Sequence, residues 1–217
     1  MQLKKALYGT LQAALLFWQL LKSSLVKLGF KINLYNHCVP NKIINGKQCT
    51  ILWHVDDLKI SHIDKNVVED ILKSQEKKFG QEGPFVTTSG KVLEYLGMTL
   101  DYSKKGKVQL SIFNYIKKII EEAPEDMTGR KKTPMSGHLF TINENCEKLP
   151  EKTVQCGHHM VAKLLYLCWH TRQDIQMAMA FLCTHVQNPD NNDYKKLSRI
   201  IQYLRGTQEL TLTIKQS

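Results

Sequence analysis

Asn45-Gly46 stands between two short runs rich in strand-forming residues, 39–43 and 48–55. A two-residue hairpin loop needs positive φ, which Asn and Gly adopt at least cost, so the pair commits its flanks to an antiparallel hairpin. The second run, Cys49-Thr50-Ile51-Leu52-Trp53-His54-Val55, leads straight into Asp56-Asp57, and residues 58–61 alternate again. The two aspartates therefore fall in a tight turn between strands.

The surroundings add helices. Residues 11–28 read as a helix rich in Ala, Leu, Phe, Trp and Gln, with Gly29 as its stop. A further strand is expected at 31–35. Asp64 is a plausible N-cap for a helix to Phe79, with Val67, Val68, Ile71 and Leu72 on its buried stripe. Residues 80–90 are turn-rich and 92–102 strand-like. Residues 104–107 turn into a strand at 108–110, and Ile112, Tyr115, Ile116, Ile119 and Ile120 follow at helical spacing.

From 123 to 152 the chain becomes polar and carries Pro124, Pro134 and Pro150, the mark of a linker or a long excursion between subdomains. Three helical stripes follow, at 158–171, 174–186 and 192–205, the last stopping at Gly206, and a final strand is expected at 210–214. The fold class is α+β: a mixed unit over residues 1–122, a linker over 123–155 and a helical unit over 156–217.

Thirty Lys and Arg against 20 Asp and Glu leave a formal charge of +10, which favours an anionic partner, nucleic acid above all. The alternative is a solvated basic surface. With 42% hydrophobic residues the chain can bury a real core. No run approaches the roughly 18 apolar residues of a membrane span, and no secretory leader is evident, so the expectation is a soluble intracellular protein without membrane contact. The six cysteines are expected as free thiols. Cys146, Cys156, His158 and His159 lack the paired spacing of a zinc site.

Asp56-Asp57 is the pair to which chemistry attaches. Carboxylates at a strand-to-strand turn can hold hard divalent cations, which take oxygen ligands and substrate phosphates. Two such ions about 3.5–4 Å apart stabilise both oxygens of a phosphoryl transfer. Asp-Asp is equally a good turn dipeptide, because Asp bonds its own backbone in turns.

Six blocks, taken in order, resemble one family. Leu3-Lys4-Lys5-Ala6-Leu7-Tyr8-Gly9-Thr10-Leu11-Gln12-Ala13 resembles the "LKKALYGLKQAPRAW" segment of copia-type retrotransposon reverse transcriptases. His54-Val55-Asp56-Asp57 is similar to their "YVDD" turn, and Glu94-Tyr95-Leu96-Gly97-Met98 to "YFLG". Leu110-Ser111 with Tyr115-Ile116 resembles "LSQ..YI". Leu164-Leu165-Tyr166-Leu167 with Thr171-Arg172-Gln173-Asp174-Ile175 resembles "LLYL..TRPDI". Arg199-Ile200 and Tyr203-Leu204-Arg205-Gly206-Thr207 resemble "RI..YLKGT". The blocks span nearly the whole chain.

The resemblance implies a partial polymerase fingers and palm, antiparallel sheet with helices, followed by a helical thumb and connection. It implies an RNA-directed DNA polymerase that uses Mg²⁺ or Mn²⁺, an RNA or DNA template-primer and deoxynucleotides. Asp56 and Asp57 would be the catalytic, metal-holding pair, with Asp56 the closer ligand. Gly9 and Gln12 would shape the nucleotide pocket and template side, and Leu96, Gly97 and Met98 would hold the primer terminus. Lys163, Arg172, Lys195, Lys196, Arg199 and Arg205 would meet the nucleic-acid backbone, where cations supply sequence-independent affinity. For each of these cations a solvated helix face is the plainer reading.

Departures from the pattern bear on activity. The family carries a further metal-binding aspartate upstream of the "LYG" block, and Met1 stands two residues before Leu3. The family's Lys, Pro and Arg are replaced by Leu11, Ala14 and Leu15, and its Tyr by His54. The expectation is an incomplete polymerase portion that is inactive alone and works with an amino-terminal part of its polyprotein. The alternative is a catalytically dead remnant that still binds nucleic acid; a translated fossil without function is a third.

Overall fold

The computed structural model describes Leu7, residues 9–143 and residues 145–215. The positions Leu3, Lys4, Lys5, Ala6 and Tyr8 of the first block lie outside the described residues. The protein is mixed α+β, with two antiparallel four-stranded sheets, and its contacts divide it into two units at Thr88–Ser89.

In the first unit, helix α1 (Leu11–Lys27) precedes strands β1 (Lys31–Ile32), β2 (Pro40–Ile44), β3 (Lys47–His54) and β4 (Asp57–Ser61), paired in that order. Helix α2 (Lys65–Phe79) follows. The Thr10 side chain accepts the Ala13 N–H and so caps the start of α1. Its end is a Schellman turn: the Phe30 N–H reaches the Leu25 carbonyl, the Gly29 N–H reaches Val26, and Gly29 takes φ +86°. Lys42 Nζ satisfies the Leu28 carbonyl at 2.7 Å. Asp64 caps α2 through the Asn66 N–H at 2.9 Å, as its sequence position predicts.

Alternation along β3 turns Cys49, Ile51 and Trp53 inward, where they meet Leu21, Leu25 and Phe30 with Ile71 of α2. The strand expected at 31–35 stops after Ile32. There the Asn33 carboxamide oxygen accepts the N–H groups of Tyr35 and Asn36, an Asx turn that draws the backbone away from the sheet.

The second unit has strands β5 (Val92–Tyr95), β6 (Met98–Asp101) and β7 (Lys107–Ser111), then helices α3 (Phe113–Glu122), α4 (Glu151–His170), α5 (Gln176–His185) and α6 (Asn191–Gly206). Strand β8 (Leu212–Lys215) closes the sheet against β7, with Val108 opposite Ile214. The strand-like run at 92–102 is thus a hairpin folded at Leu96-Gly97. Helix α4 starts seven residues before the stripe at 158, with Glu151 in its first turn, where a carboxylate meets the positive end of the helix dipole. A capping box starts α6: Asp190 accepts from Asn192 and Asp193, and the Asp193 carboxylate accepts the Asp190 N–H.

One core joins these helices: Ile116 and Ile119 of α3, Leu164 and Leu167 of α4, Met179 of α5, and Ile200 and Leu204 of α6 are all within 1% of full burial. The polar stretch after α3 contributes to that core through Met127, 0% exposed, and Leu139, 3% exposed. It then runs over α6, tied by Lys131 N–H to the Gln202 carbonyl and by Lys196 Nζ to the Thr141 carbonyl.

Candidate active-site turn and basic face

Strands β3 and β4 meet at a two-residue loop, Val55-Asp56, closed by the pair His54↔Asp57. Asp56 is therefore the loop tip and Asp57 the first residue of β4, and both are exposed. Val55 takes φ +52°, a left-handed conformation that is a genuine outlier for a β-branched residue. Such strain amounts to about 1–3 kcal/mol and persists only where surrounding structure over-determines it. Here the five-pair register of β3 and β4 on either side does so. The donor set is two carboxylates of adjacent residues, oxygen ligands that suit a hard divalent cation. Among the described residues no cluster of three or more His, Cys, Asp or Glu gathers elsewhere or here.

Gly9 and Gln12 belong to the same unit. Gly9 takes φ +84° and leads the chain into the Thr10 cap, while Gln12 is exposed in the first turn of α1.

Leu96, Gly97 and Met98 stand at the β5–β6 turn of the second unit. Leu96 and Gly97 carry φ of +51° and +71°, the two left-handed residues of a tight hairpin turn, and Met98 packs against the helical core. The Tyr166 hydroxyl of α4 donates to the Leu96 carbonyl at 2.9 Å, and its ring meets Tyr115 at a centroid distance of 5.1 Å. Tyr166 lay inside the "LLYL" match without a role, and no local signal reveals one, because its partner is 70 residues away.

The six cations have separate occupations. Arg172 is 1% exposed. Its Nε and Nη2 donate to the Asp174 carboxylate at 3.0 and 2.8 Å, and Nη1 and Nη2 donate to the Thr207 carbonyl and hydroxyl at 2.9 and 2.8 Å. Tyr203 completes the cluster, its hydroxyl donating to Asp174 at 2.6 Å and its ring lying 5.3 Å from the guanidinium. Burial pushes the Asp174 carboxyl up, but the Arg172 and Tyr203 hydrogen bonds outweigh it and hold the carboxyl below its ordinary value. Arg172 therefore clamps the end of α6 to the α4–α5 turn and presents no head group to solvent.

Arg205 donates from Nε to the Met127 carbonyl and from Nη2 to the Ile120 carbonyl, so it caps the end of α3 and the stretch after it. Lys163 pairs with Glu122, whose carboxyl is held below its usual range by that hydrogen bond. Lys196 lies 4.1 Å over the Phe181 ring and reaches Thr141 and Asp193. Arg199 donates to the Thr133 hydroxyl at 2.9 Å. Lys195 is exposed. Lys195 and Arg199 are thus brought together on one face of α6, whereas Arg172, Arg205 and Lys196 are spent on holding the fold.

That face forms one wall of a cleft that sequence reasoning did not reveal. It holds about 650 Å³ between α6 and the stretch 126–139, with Lys131 and His138 on the far wall. Asp126 at its rim accepts from the Tyr194 hydroxyl, which burial and that carboxylate push up to about 12.

Two exposed carboxylates on neighbouring residues of an antiparallel hairpin can offer oxygen ligands to a hard divalent cation. The family model described as reverse transcriptase (RNA-dependent DNA polymerase) matches residues 1–137, and the chain belongs to that family. Its relatives are transposon polyproteins of the copia type. It is 27% identical over 95% of its length to a retrovirus-related Pol polyprotein from transposon TNT 1-94 of Nicotiana tabacum, covering 16% of that protein. It is 23% identical over 97% of its length to a transposon Ty5-1 protein of Saccharomyces cerevisiae, covering 66% of it. It is also 26% identical over 99% of its length to the Pol polyprotein from transposon RE1 of Arabidopsis thaliana, covering 14%. The chain therefore spans a small part of the polyproteins it matches. No solved structure matches it. The family implies divalent metal and a nucleic-acid template-primer. Among the described residues no helix is long and apolar enough to cross a membrane.

Proposed function

We propose that this chain is the metal-holding palm and the following thumb and connection of an RNA-directed DNA polymerase that extends a primer 3′ end with deoxynucleotides. The observation that carries it is the placement of Asp56 in the β3–β4 loop, with Asp57 beside it at the start of β4, in a chain of the reverse transcriptase family. Asp56 and Asp57 would hold Mg²⁺ or Mn²⁺, which supplies charge stabilisation to the attacking and leaving oxygens. Everything else is the work of protein groups. The register of β3 and β4 fixes the backbone positions from which both carboxylates project. The β5–β6 turn, pinned by Tyr166, holds the primer terminus through Leu96, Gly97 and Met98. Gly9 and Gln12 line the nucleotide and template side.

Backbone contacts are best supported for Lys195 on the exposed face of α6, with Arg199 beside it. Arg172 and Arg205 serve through the helices they lock, and Lys163 and Lys196 serve from within their ion pairs. The partners are an RNA or DNA template-primer and the remainder of a polyprotein.

Primer extension on an RNA template, in Mg²⁺ and in Mn²⁺, tests the reading. Extension by the chain, alone or joined to an amino-terminal part, is expected to fall by about 10²-fold or more in Asp56→Asn, the scale of losing one preorganised charge stabiliser. Equal extension in the variant would reject Asp56 as a metal ligand. Salt-sensitive binding of template-primer without any extension would identify a binding remnant instead.

A further inference from the structure

The cleft on α6 contains no residue of the Asp56 turn or the β5–β6 hairpin, and it shares Lys195 and Arg199 with the proposed backbone contacts. One wall is a stripe of α6 at helical spacing, Asn191, Lys195, Arg199 and Gln202. The other wall is the arch formed by residues 126–139, which brings Lys131 and His138 to face that stripe. The arch is tied to α6 by Lys131 N–H to the Gln202 carbonyl at 3.2 Å and by Arg199 Nη2 to Thr133 Oγ1 at 2.9 Å. Leu139, 3% exposed, anchors the arch in the core and joins Met135 in giving the cleft an apolar part.

Charge on these walls is lopsided. Lys131, Lys195, Lys196 and Arg199 stand against Asp126 alone among the lining carboxylates, and Asp126 is engaged by Tyr194. Arg199 adds a second sign: its Nε is shut away from solvent with no acceptor. A buried guanidinium N–H without a partner is costly, and an orphaned group of this kind marks strain, a missing water or a missing ion. A small turn of the head group towards an anion in the cleft would satisfy it.

We propose that this cleft binds a phosphate-bearing ligand of mononucleotide size, with its phosphate held between Lys131 on the arch and Lys195 and Arg199 on α6. A volume of about 650 Å³ lies within the range of small-ligand sites. Lys131 stands on the wall opposite Lys195 and Arg199, a placement that suits one phosphate group between them. Arg and Lys together suit that role, the guanidinium as a planar fork and the ammonium as a point charge. Pro134 and Met135, half-buried on the arch, offer apolar surface against which a base can lie.

The test is titration calorimetry on the full chain in EDTA, at constant ionic strength, with inorganic pyrophosphate, dATP and a single-stranded oligonucleotide as separate probes. Chelating divalent metal silences the Asp56 turn, so Asp56→Asn is expected to bind as the unmodified chain does. Saturable binding of dATP and pyrophosphate is expected, weakened at least tenfold in Lys131→Gln and in Lys195→Gln and unchanged in Lys117→Gln, an exposed lysine on α3. Lys195 is exposed, so its variant keeps the fold, as circular dichroism should verify. Binding that is absent, or is the same in all variants, overturns the proposal. So does oligonucleotide binding lost in the two cleft variants when neither small anion binds, since the cleft would then hold a strand. That last outcome would leave the polymerase reading intact, and failure of primer extension would leave the cleft intact.

Discussion

At the scale of single residues, the cations of the second unit separate by what their nitrogens already hold. Arg172 has lost its hydration to the Asp174–Tyr203–Thr207 cluster, so its removal strands a carboxylate and a hydroxyl rather than a phosphate contact. Arg172→Met is expected to lower stability by about 3 kcal/mol in urea unfolding, the scale of an uncompensated buried charge. A loss under about 0.5 kcal/mol, the level of an exposed pair, would show that the cluster contributes little. Because the Asp174 carboxyl is held below its unfolded value, its stabilisation is fully present above pH ~4 and fades as pH falls through the folded value. The stability gap between the unmodified chain and Asp174→Asn should accordingly narrow below pH ~4. A gap that widens there would reverse the sign of the linkage. Val55 carries the opposite kind of information, a cost kept in place at the carboxylate turn. Val55→Asn should raise stability by about 1 kcal/mol, since Asn tolerates left-handed φ. An unchanged unfolding midpoint would mean that the strain is relieved by the surrounding register.

Elements of this protein are set by turns and caps more than by long amphipathic runs. The Asn45-Gly46 and Leu96-Gly97 loops each put two residues at positive φ, but only the first advertises it, because leucine is a poor resident of that region. The second hairpin needs an outside tie, and the Tyr166 hydroxyl supplies it. Tyr166→Phe should cost about 1 kcal/mol, the net worth of one hydrogen bond. Hydrogen exchange should quicken at the amides of Gly97 and Met98 while those of α6 stay protected. Uniform exchange across both regions would show that Tyr166 acts on the whole unit rather than on the hairpin tip.

For the whole molecule, a surplus of ten positive charges has a definite thermodynamic consequence if template-primer is the partner. The logarithm of the affinity should fall linearly with the logarithm of salt concentration, with a slope of about −0.9 per duplex phosphate neutralised. Lys195→Gln should reduce that slope by about one, and Arg172→Lys should leave it unchanged, because the first cation is exposed and the second is inside the fold. A salt-independent affinity would rule out backbone recognition.

The residues decided by themselves whatever depends on near neighbours. Asn45-Gly46 made its hairpin, Asp64 capped its helix, and Asp56-Asp57 fell at the tip between two alternating strands, because φ preference, capping and period-two burial act within a few residues. The order of six short blocks carried the family in the same way. What the chain could not disclose was set by partners far apart in sequence. Arg172 and Thr207 are 35 residues apart and Arg205 and Met127 78, so the sequence left these cations open between a binding face and a solvated one, and only packing shows Arg172 and Arg205 bonded within the fold. The polar, proline-punctuated stretch read as a linker became the wall of a cleft, because two buried side chains, Met127 and Leu139, anchor it to the helical core. Local chemistry writes turns and caps into the sequence. Only tertiary packing decides which charges remain at the surface, since that depends on which distant backbone and side-chain groups arrive to accept their hydrogen bonds.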